Sequence, residues 1–77
     1  MIDEQTLSQW LDQARSLVDE RKLLHALQRY YRITAAAPML DIAWVELAYV
    51  QFELKQYAAA EKTLLKAVSA SNEPQEI

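Results

Sequence analysis

The chain has 77 residues, a net charge of −3, no cysteine and no glycine, so it can form one small domain and not two. Its 52% hydrophobic content excludes a disordered chain, and the missing cysteine excludes disulfides, cysteine-based metal sites and thiol nucleophiles. One histidine cannot build a histidine-rich metal site. Loops that hold phosphate need glycine, and the acidic balance argues against nucleic-acid binding.

Four helices are predicted along the chain. Zero glycine and two prolines favour helices over strands joined by tight turns, and the apolar residues recur at steps of three and four. Polar breaks separate the first helix from the second and the third from the fourth, and Pro38 ends the second because the residue before a proline avoids the α region. The predicted helices span about residues 3–19, 23–36, 40 or 41–54, and 57–70.

Three of these helices have further features. The first has two alternative N-terminal caps, Asp3 or a capping box of Thr6 with Gln9. The third is apolar on more than one face, which indicates a helix covered on more than one side. The fourth is predicted to stop at residues 71–74, with a frayed end beyond it.

When the sequence is shifted by the number of residues that separates Trp10 from Trp44, its two halves align. This shift is called the repeat offset below. It keeps large residues on large and small on small through both helices. The two turns coincide as well, which predicts an internally repeated helix–turn–helix unit. The other aligned pairs are Ala14 and Ala48, Arg21 and Lys55, Leu23 and Tyr57, Ala26 and Ala60, Tyr30 and Leu64, Ile33 and Ala67, and Pro38 and Asn72.

A helix–turn–helix unit with this repeat offset resembles the tetratricopeptide repeat, over about residues 7–72. The resemblance implies one all-α domain, residues 1–77, of two stacked antiparallel hairpins with a right-handed arrangement. Repeat one would cover about residues 7–40 and repeat two about residues 41–74. The sequence departs from the family pattern at four positions: Gln13, Gln51 and the turn residues Arg21 and Lys55.

Close packing of the helices explains why small residues stand at these aligned positions. We expect Ala14 to face Ala26 and Ala48 to face Ala60, because small residues let two helices approach each other. Large aromatic residues then fill the wider parts of the same seam. Those residues are Trp10, Tyr30, Trp44 and Tyr57.

The resemblance also implies a function, which is protein–protein interaction through a concave groove lined by the first helix of each repeat. An exposed apolar stripe on the third helix would form a patch of a few hundred Å², suited to an amphipathic helix or an extended apolar peptide. The groove positions in the first helix are Ser8, Leu11, Arg15, Val18 and Asp19, and those in the third are Ile42, Val45, Tyr49, Phe52 and Glu53. One subclass of the family grips C-terminal carboxylates, but here only Arg15 could do so.

Two repeats leave the end of the stack uncovered, since about three are usually needed for stability. We expect a partner helix or a second copy of the chain to cover it. Alternatively, the chain is the start of a longer array in which Pro74 opens a further helix.

Other chemistry-bearing residues have simpler interpretations. His25 is expected on the surface, Arg29 and Arg32 on a solvated face, and Arg15 in weak pairs with Asp12 or Asp19. Glu46 and Glu53 share a face, as an acid–base pair would, but no nucleophile or metal ligands accompany them. These patterns predict no enzyme, no metal and no cofactor.

The N-terminal residues 1–5 are acidic and polar, unlike a signal peptide, and the longest apolar run, residues 35–40, is far short of the ~20 residues that span a bilayer. We therefore expect a cytoplasmic protein with no membrane or nucleic-acid partner. The predicted function is a non-enzymatic adaptor, scaffold or co-chaperone-like module that binds a protein partner in its groove. The alternative is a structural homo-oligomer that associates through the same apolar faces.

Overall fold

The computed structural model describes residues 2–71. Within them the chain forms four α-helices and no strand, and consecutive helices pack on each other. The predicted all-α architecture of stacked hairpins is confirmed: α1 and α2 make the first hairpin, α3 and α4 the second. Only the start of the predicted stop after the fourth helix, Ser71, lies within the described residues. The helices are α1 Glu4–Asp19, α2 Leu23–Ala36, α3 Asp41–Glu53 and α4 Tyr57–Ser71.

Asp3 caps the first helix. Its Oδ1 accepts a hydrogen bond from the backbone N–H of Thr6 at 2.8 Å, so the cap is the aspartate and not the capping box of Thr6 with Gln9. The same hydrogen bond holds the pKa of Asp3 below its ordinary value, because it favours the charged carboxylate.

The two hairpin turns have the same backbone geometry. In the first, the N–H of Arg21 donates to the carbonyl of Val18 and that of Lys22 to the carbonyl of Leu17, both at 2.9 Å. The second turn repeats both bonds at the repeat offset, with lengths of 2.9 and 2.8 Å. These paired bonds define a Schellman motif, whose left-handed residue is usually glycine. Here it is Arg21, with φ of 61°, and Lys55, with φ of 65°.

The main core joins the first hairpin to α3. Its members come from three helices, so α3 covers the side of the first hairpin that would otherwise face solvent. Burying one large aliphatic side chain stabilises a fold by about 1.5–3 kcal/mol, and this cluster is therefore the main source of cohesion between the hairpins. The buried members are Ala14, Ala26, Leu27, Tyr30, Ile33, Ala43, Leu47 and Val50.

A smaller buried set lies in the second hairpin, where Ala48, Ala60 and Ala67 are each nearly inaccessible. Gln51 is buried beside them, although it stands where the family pattern favours an aromatic residue. Its amide accepts a hydrogen bond from Thr63 Oγ1 at 2.6 Å and donates one to Tyr31 Oη at 3.2 Å. A buried amide with both partners present costs little.

The prediction that Tyr57 fills the seam is wrong. Tyr57 is 55% exposed and makes an edge contact with Phe52, with ring centroids 5.3 Å apart. It is the first residue of α4, and no described helix packs over it. Trp10 and Trp44 are half-buried.

Basic side chains cover the two tryptophans. The guanidinium of Arg32 lies 4.1 Å from the ring centroid of Trp10, and the ammonium of Lys66 lies 5.6 Å from that of Trp44. Arg32 therefore belongs to a cation–π contact, where the sequence indicated only a solvated face. This contact also recurs at the repeat offset.

Candidate functional site

A charged network joins α1, α2 and α3 on one side of the stack. The hydroxyl of Tyr30 donates to Glu46 Oε1 at 2.7 Å. From α1, Arg15 donates through Nε to Oε1 at 3.0 Å and through Nη2 to Oε2 at 2.7 Å. Glu46 therefore accepts a bidentate contact from the guanidinium of Arg15 and a further hydrogen bond from the phenol of Tyr30. Bidentate guanidinium–carboxylate contacts are strong charge-assisted hydrogen bonds.

The network raises the pKa of two side chains, Tyr30 and Arg15. Burial and the hydrogen bond to Glu46 raise the pKa of Tyr30 well above its ordinary value, and the hydrogen bond to Glu46 also raises the pKa of Arg15. The predicted pairs of Arg15 with Asp12 or Asp19 are wrong, because Arg15 turns to a carboxylate on α3 instead. Arg15 is thus already neutralised by a partner within the chain.

A cavity of about 230 Å³ opens above this network, between α1 and α3. The network residues and Asp19 form its polar side, and apolar side chains of α1 and α3 form the rest. Its volume suits one apolar side chain of a bound polypeptide. The lining residues are Arg15, Val18, Asp19, Tyr30, Val45, Glu46 and Tyr49.

A second cavity, of about 280 Å³, lies between α3 and α4. Aliphatic and aromatic side chains line it throughout, and Val45 and Tyr49 line both cavities. These two residues therefore form a ridge with a cavity on each side. The lining residues are Val45, Ala48, Tyr49, Phe52, Ala60 and Leu64.

The four apolar stripe residues of α3 that were predicted to line a groove are all exposed: Ile42, Val45, Tyr49 and Phe52. Val45 and Tyr49 meet the predicted α1 residues Arg15, Val18 and Asp19 in the first cavity. Phe52 lines the second cavity. The remaining predicted residues line neither.

These remaining residues have other surroundings. Leu11 is half-buried and packs against the core cluster, whereas Ser8 and Ile42 are exposed outside both cavities. Glu53 accepts a hydrogen bond from Arg21 Nη2 at 3.1 Å. Glu53 therefore serves to tie the first turn to α3.

Sequence reasoning missed Tyr30 and Glu46 as groove residues. Tyr30 was placed in the core, where it is indeed 1% exposed, but its hydroxyl reaches the floor of the cavity. Glu46 is the one charged residue within the apolar run of residues 42–50 of α3, and a carboxylate in such a run needs a partner. That signal could have predicted a basic residue from a neighbouring helix.

Among residues 2–71, no group of three or more His, Asp or Glu side chains could hold a metal ion. His25 is exposed. No helix in the same range is long and apolar enough to cross a membrane.

Comparison with protein-family models, with curated proteins and with solved structures found no match to this chain.

Proposed function

We propose that the chain is a non-enzymatic interaction module that binds an apolar peptide or an amphipathic helix in the groove between α1 and α3. The observation that carries the proposal is the exposed stripe of α3, whose central residues Val45 and Tyr49 stand between two cavities. Exposed aromatic and aliphatic side chains beside well-formed pockets are the usual anchors of protein partners.

We also propose that the two hairpins are repeats of the tetratricopeptide type. The left-handed turn residues Arg21 and Lys55, the buried alanines and the cation–π contacts at Trp10 and Trp44 all recur at the repeat offset. Such recurrence in backbone, packing and surface contacts supports two copies of one structural unit.

The network of Arg15, Tyr30 and Glu46 makes this groove better suited to an internal segment of a partner polypeptide than to its C-terminus. Arg15 is bonded to Glu46, so capture of a free C-terminal carboxylate would have to break that pair. An apolar side chain could enter the cavity without disturbing it. Because the network holds three helices together before any partner arrives, binding would lose little entropy in ordering the groove.

The proposal is tested by selecting peptides from a displayed random library on the full chain and measuring their affinity by calorimetry. Tyr49→Ala and Val45→Asp should each weaken the selected peptides by about tenfold or more, the loss typical of a central anchor. Leu24→Ala is the matched control, since Leu24 is an exposed apolar residue of α2 that lines neither cavity.

Selected peptides that bind Tyr49→Ala and Leu24→Ala equally well would refute the groove. The alternative function, a homo-oligomer that buries the same stripe, is examined by light scattering of the unmodified chain. An oligomer that Tyr49→Ala dissociates would replace peptide capture with self-association.

A further inference from the structure

The second hairpin has an exposed apolar surface, here called the end face, whose counterpart in the first hairpin is buried at two positions and half-buried at the others. At the repeat offset, Leu64 corresponds to Tyr30 and Val68 to Thr34. Leu64 is 48% exposed and Val68 54%, whereas Tyr30 and Thr34 are 1% and 4% exposed. The end face consists of Phe52, Tyr57, Leu64 and Val68.

The structure shows what covers these positions in the first hairpin. There α3 supplies Ala43, Leu47 and Val50, all buried in the common core. These residues have the spacing i, i+4, i+7, so they form one stripe along the helix. We number the positions of a covering helix from the one that is equivalent to Ala43. A helix that carries small or aliphatic residues at positions 1, 5 and 8 therefore complements this kind of face.

Charge complementarity defines the residue expected at a fourth position of the bound helix. Ten residues after Ala43, Glu53 of α3 accepts a hydrogen bond from Arg21, the left-handed residue of the first turn. Lys55 occupies the same place in the second turn, with nearly the same φ, and is exposed. A helix on the end face would meet Lys55 with its position 11, which should be acidic.

The end face also differs from its counterpart in the first hairpin, and this difference determines the residue type expected at position 4 of the bound helix. In α3 this position is Glu46, which is bonded to Arg15 and Tyr30. The counterparts of those two partners in the second hairpin are Tyr49 and Leu64, which offer an apolar surface to the carboxylate. Position 4 of the occupant should therefore be apolar.

A second copy stacked head to tail does not meet this specification. The residues of α1 that correspond to Ala43, Leu47 and Val50 of α3 are Gln9, Gln13 and Ser16. All three are exposed and polar, and burying their side chains against the end face without partners would be unfavourable. The N-terminal side of the stack is thus polar where the opposite side is apolar.

We propose that the end face binds one helix of another polypeptide, with small or aliphatic residues at positions 1, 5 and 8, an apolar residue at position 4 and an acidic residue at position 11. This interaction surface shares Phe52 and Leu64 with the second cavity and borders Tyr49, but it extends along α4 to Val68, which lines neither cavity, and it does not depend on the groove between α1 and α3 having a ligand. The occupant lies against α3 and α4, as α3 lies against the first hairpin.

The experiment uses a fluorescein-labelled synthetic helix with Ala, Leu, Leu, Val and Glu at positions 1, 4, 5, 8 and 11 and polar helix-forming residues elsewhere. Fluorescence anisotropy with the full chain should show saturable binding. Leu64→Asp and Val68→Asp should each weaken it by roughly tenfold or more, and Leu24→Asp should leave it unchanged because Leu24 is an exposed residue of the other hairpin.

Two matched changes test the specified positions. Glutamate at position 4 of the peptide should weaken binding, and lysine at position 11 should weaken it unless the protein carries Lys55→Glu. Val68 lines neither cavity, so Val68→Asp should weaken the helix and leave the peptides selected on the groove unaffected, which makes failure of one site distinguishable from failure of the other.

Absence of binding up to millimolar protein would overturn the proposal, as would binding that Val68→Asp leaves intact. A dimer in light scattering that Val68→Asp dissociates would also overturn it, since a second copy would then cover the end face. Circular dichroism of each variant verifies that it remains folded.

Discussion

The two hairpins of this molecule have the same turns and buried alanines at equivalent positions, yet the first is covered by a third helix and the second is not covered by any described residue. Tyr30 and Leu64 stand at equivalent positions, one buried and bonded to Glu46, the other half in solvent. The role of a residue in such a stack therefore depends on what lies over it as much as on its place in the hairpin.

The two ends of the stack differ in the same sense. Where α3 presents Ala43, Leu47 and Val50 to the first hairpin, α1 presents polar side chains outward. Polar residues on an outer helix are how repeat stacks end in water. The α1 side of the stack is therefore polar, and the α4 side exposes apolar side chains.

The largest expected effect comes from truncating the equivalent pair. Tyr30→Ala should lower the free energy of unfolding by about 3–5 kcal/mol, as for other buried aromatic residues. Leu64→Ala should change it by less than about 1 kcal/mol because the side chain is half exposed. Urea denaturation of both variants measures the difference, and equal losses would mean that α4 is covered in solution.

Removing the carboxylate at the centre of the network should have the next largest effect. Glu46→Leu leaves the buried hydroxyl of Tyr30 and the guanidinium of Arg15 without their partner, which should cost about 1–3 kcal/mol. In the double variant Glu46→Leu with Tyr30→Phe, part of this loss should be recovered. Purely additive losses in that cycle would contradict coupling between the two side chains.

The raised pKa of Tyr30 predicts an alkaline loss of stability. The folded state keeps the phenol protonated at pH values where the unfolded chain releases the proton, so its contribution is complete below about pH 10 and declines as the pH rises further. The slope should approach about 1.4 kcal/mol per pH unit. Thermal melts between pH 8 and 11 should show a shallower decline for Tyr30→Phe, and parallel curves would count against the assignment.

The smallest effects are expected at the two turns. Glycine relieves the left-handed strain of an ordinary residue, so Lys55→Gly should stabilise the chain by about 0.5–1 kcal/mol. Arg21→Gly should gain less, because it also removes the ion pair with Glu53. Melting temperatures of the two single variants give the comparison, and a larger gain at Arg21 would mean that this ion pair does not contribute.

The helices and their limits could be predicted from the sequence because they depend on local spacing and on Pro38. The alignment of Arg21 with Lys55 likewise predicted equivalent turns before any backbone angle was known. The contacts of Arg15 could not be predicted this way. Its spacing to Asp12 and Asp19 suggested partners on its own helix, but packing brought Glu46 of α3 within 2.7 Å.

The groove, too, could be predicted only in part from the local sequence pattern. The exposed stripe of α3 follows from its apolar pattern, whereas the polar floor made by Tyr30 and Glu46 depends on three helices meeting. The prediction for Tyr57 is wrong for a related reason, since the sequence pattern of α4 does not reveal whether a further helix covers its start. Local pattern predicts elements, and the neighbours of each element decide the chemistry of its surface.

The buried amide of Gln51 has a mechanical consequence. It links Tyr31 of α2 to Thr63 of α4, so a hydrogen-bonded chain crosses from the first hairpin to the last helix through the interior. Apolar side chains tolerate small sliding and rotation, but directional bonds of this kind do not. The link therefore restrains the angle at which the second hairpin sits on the first.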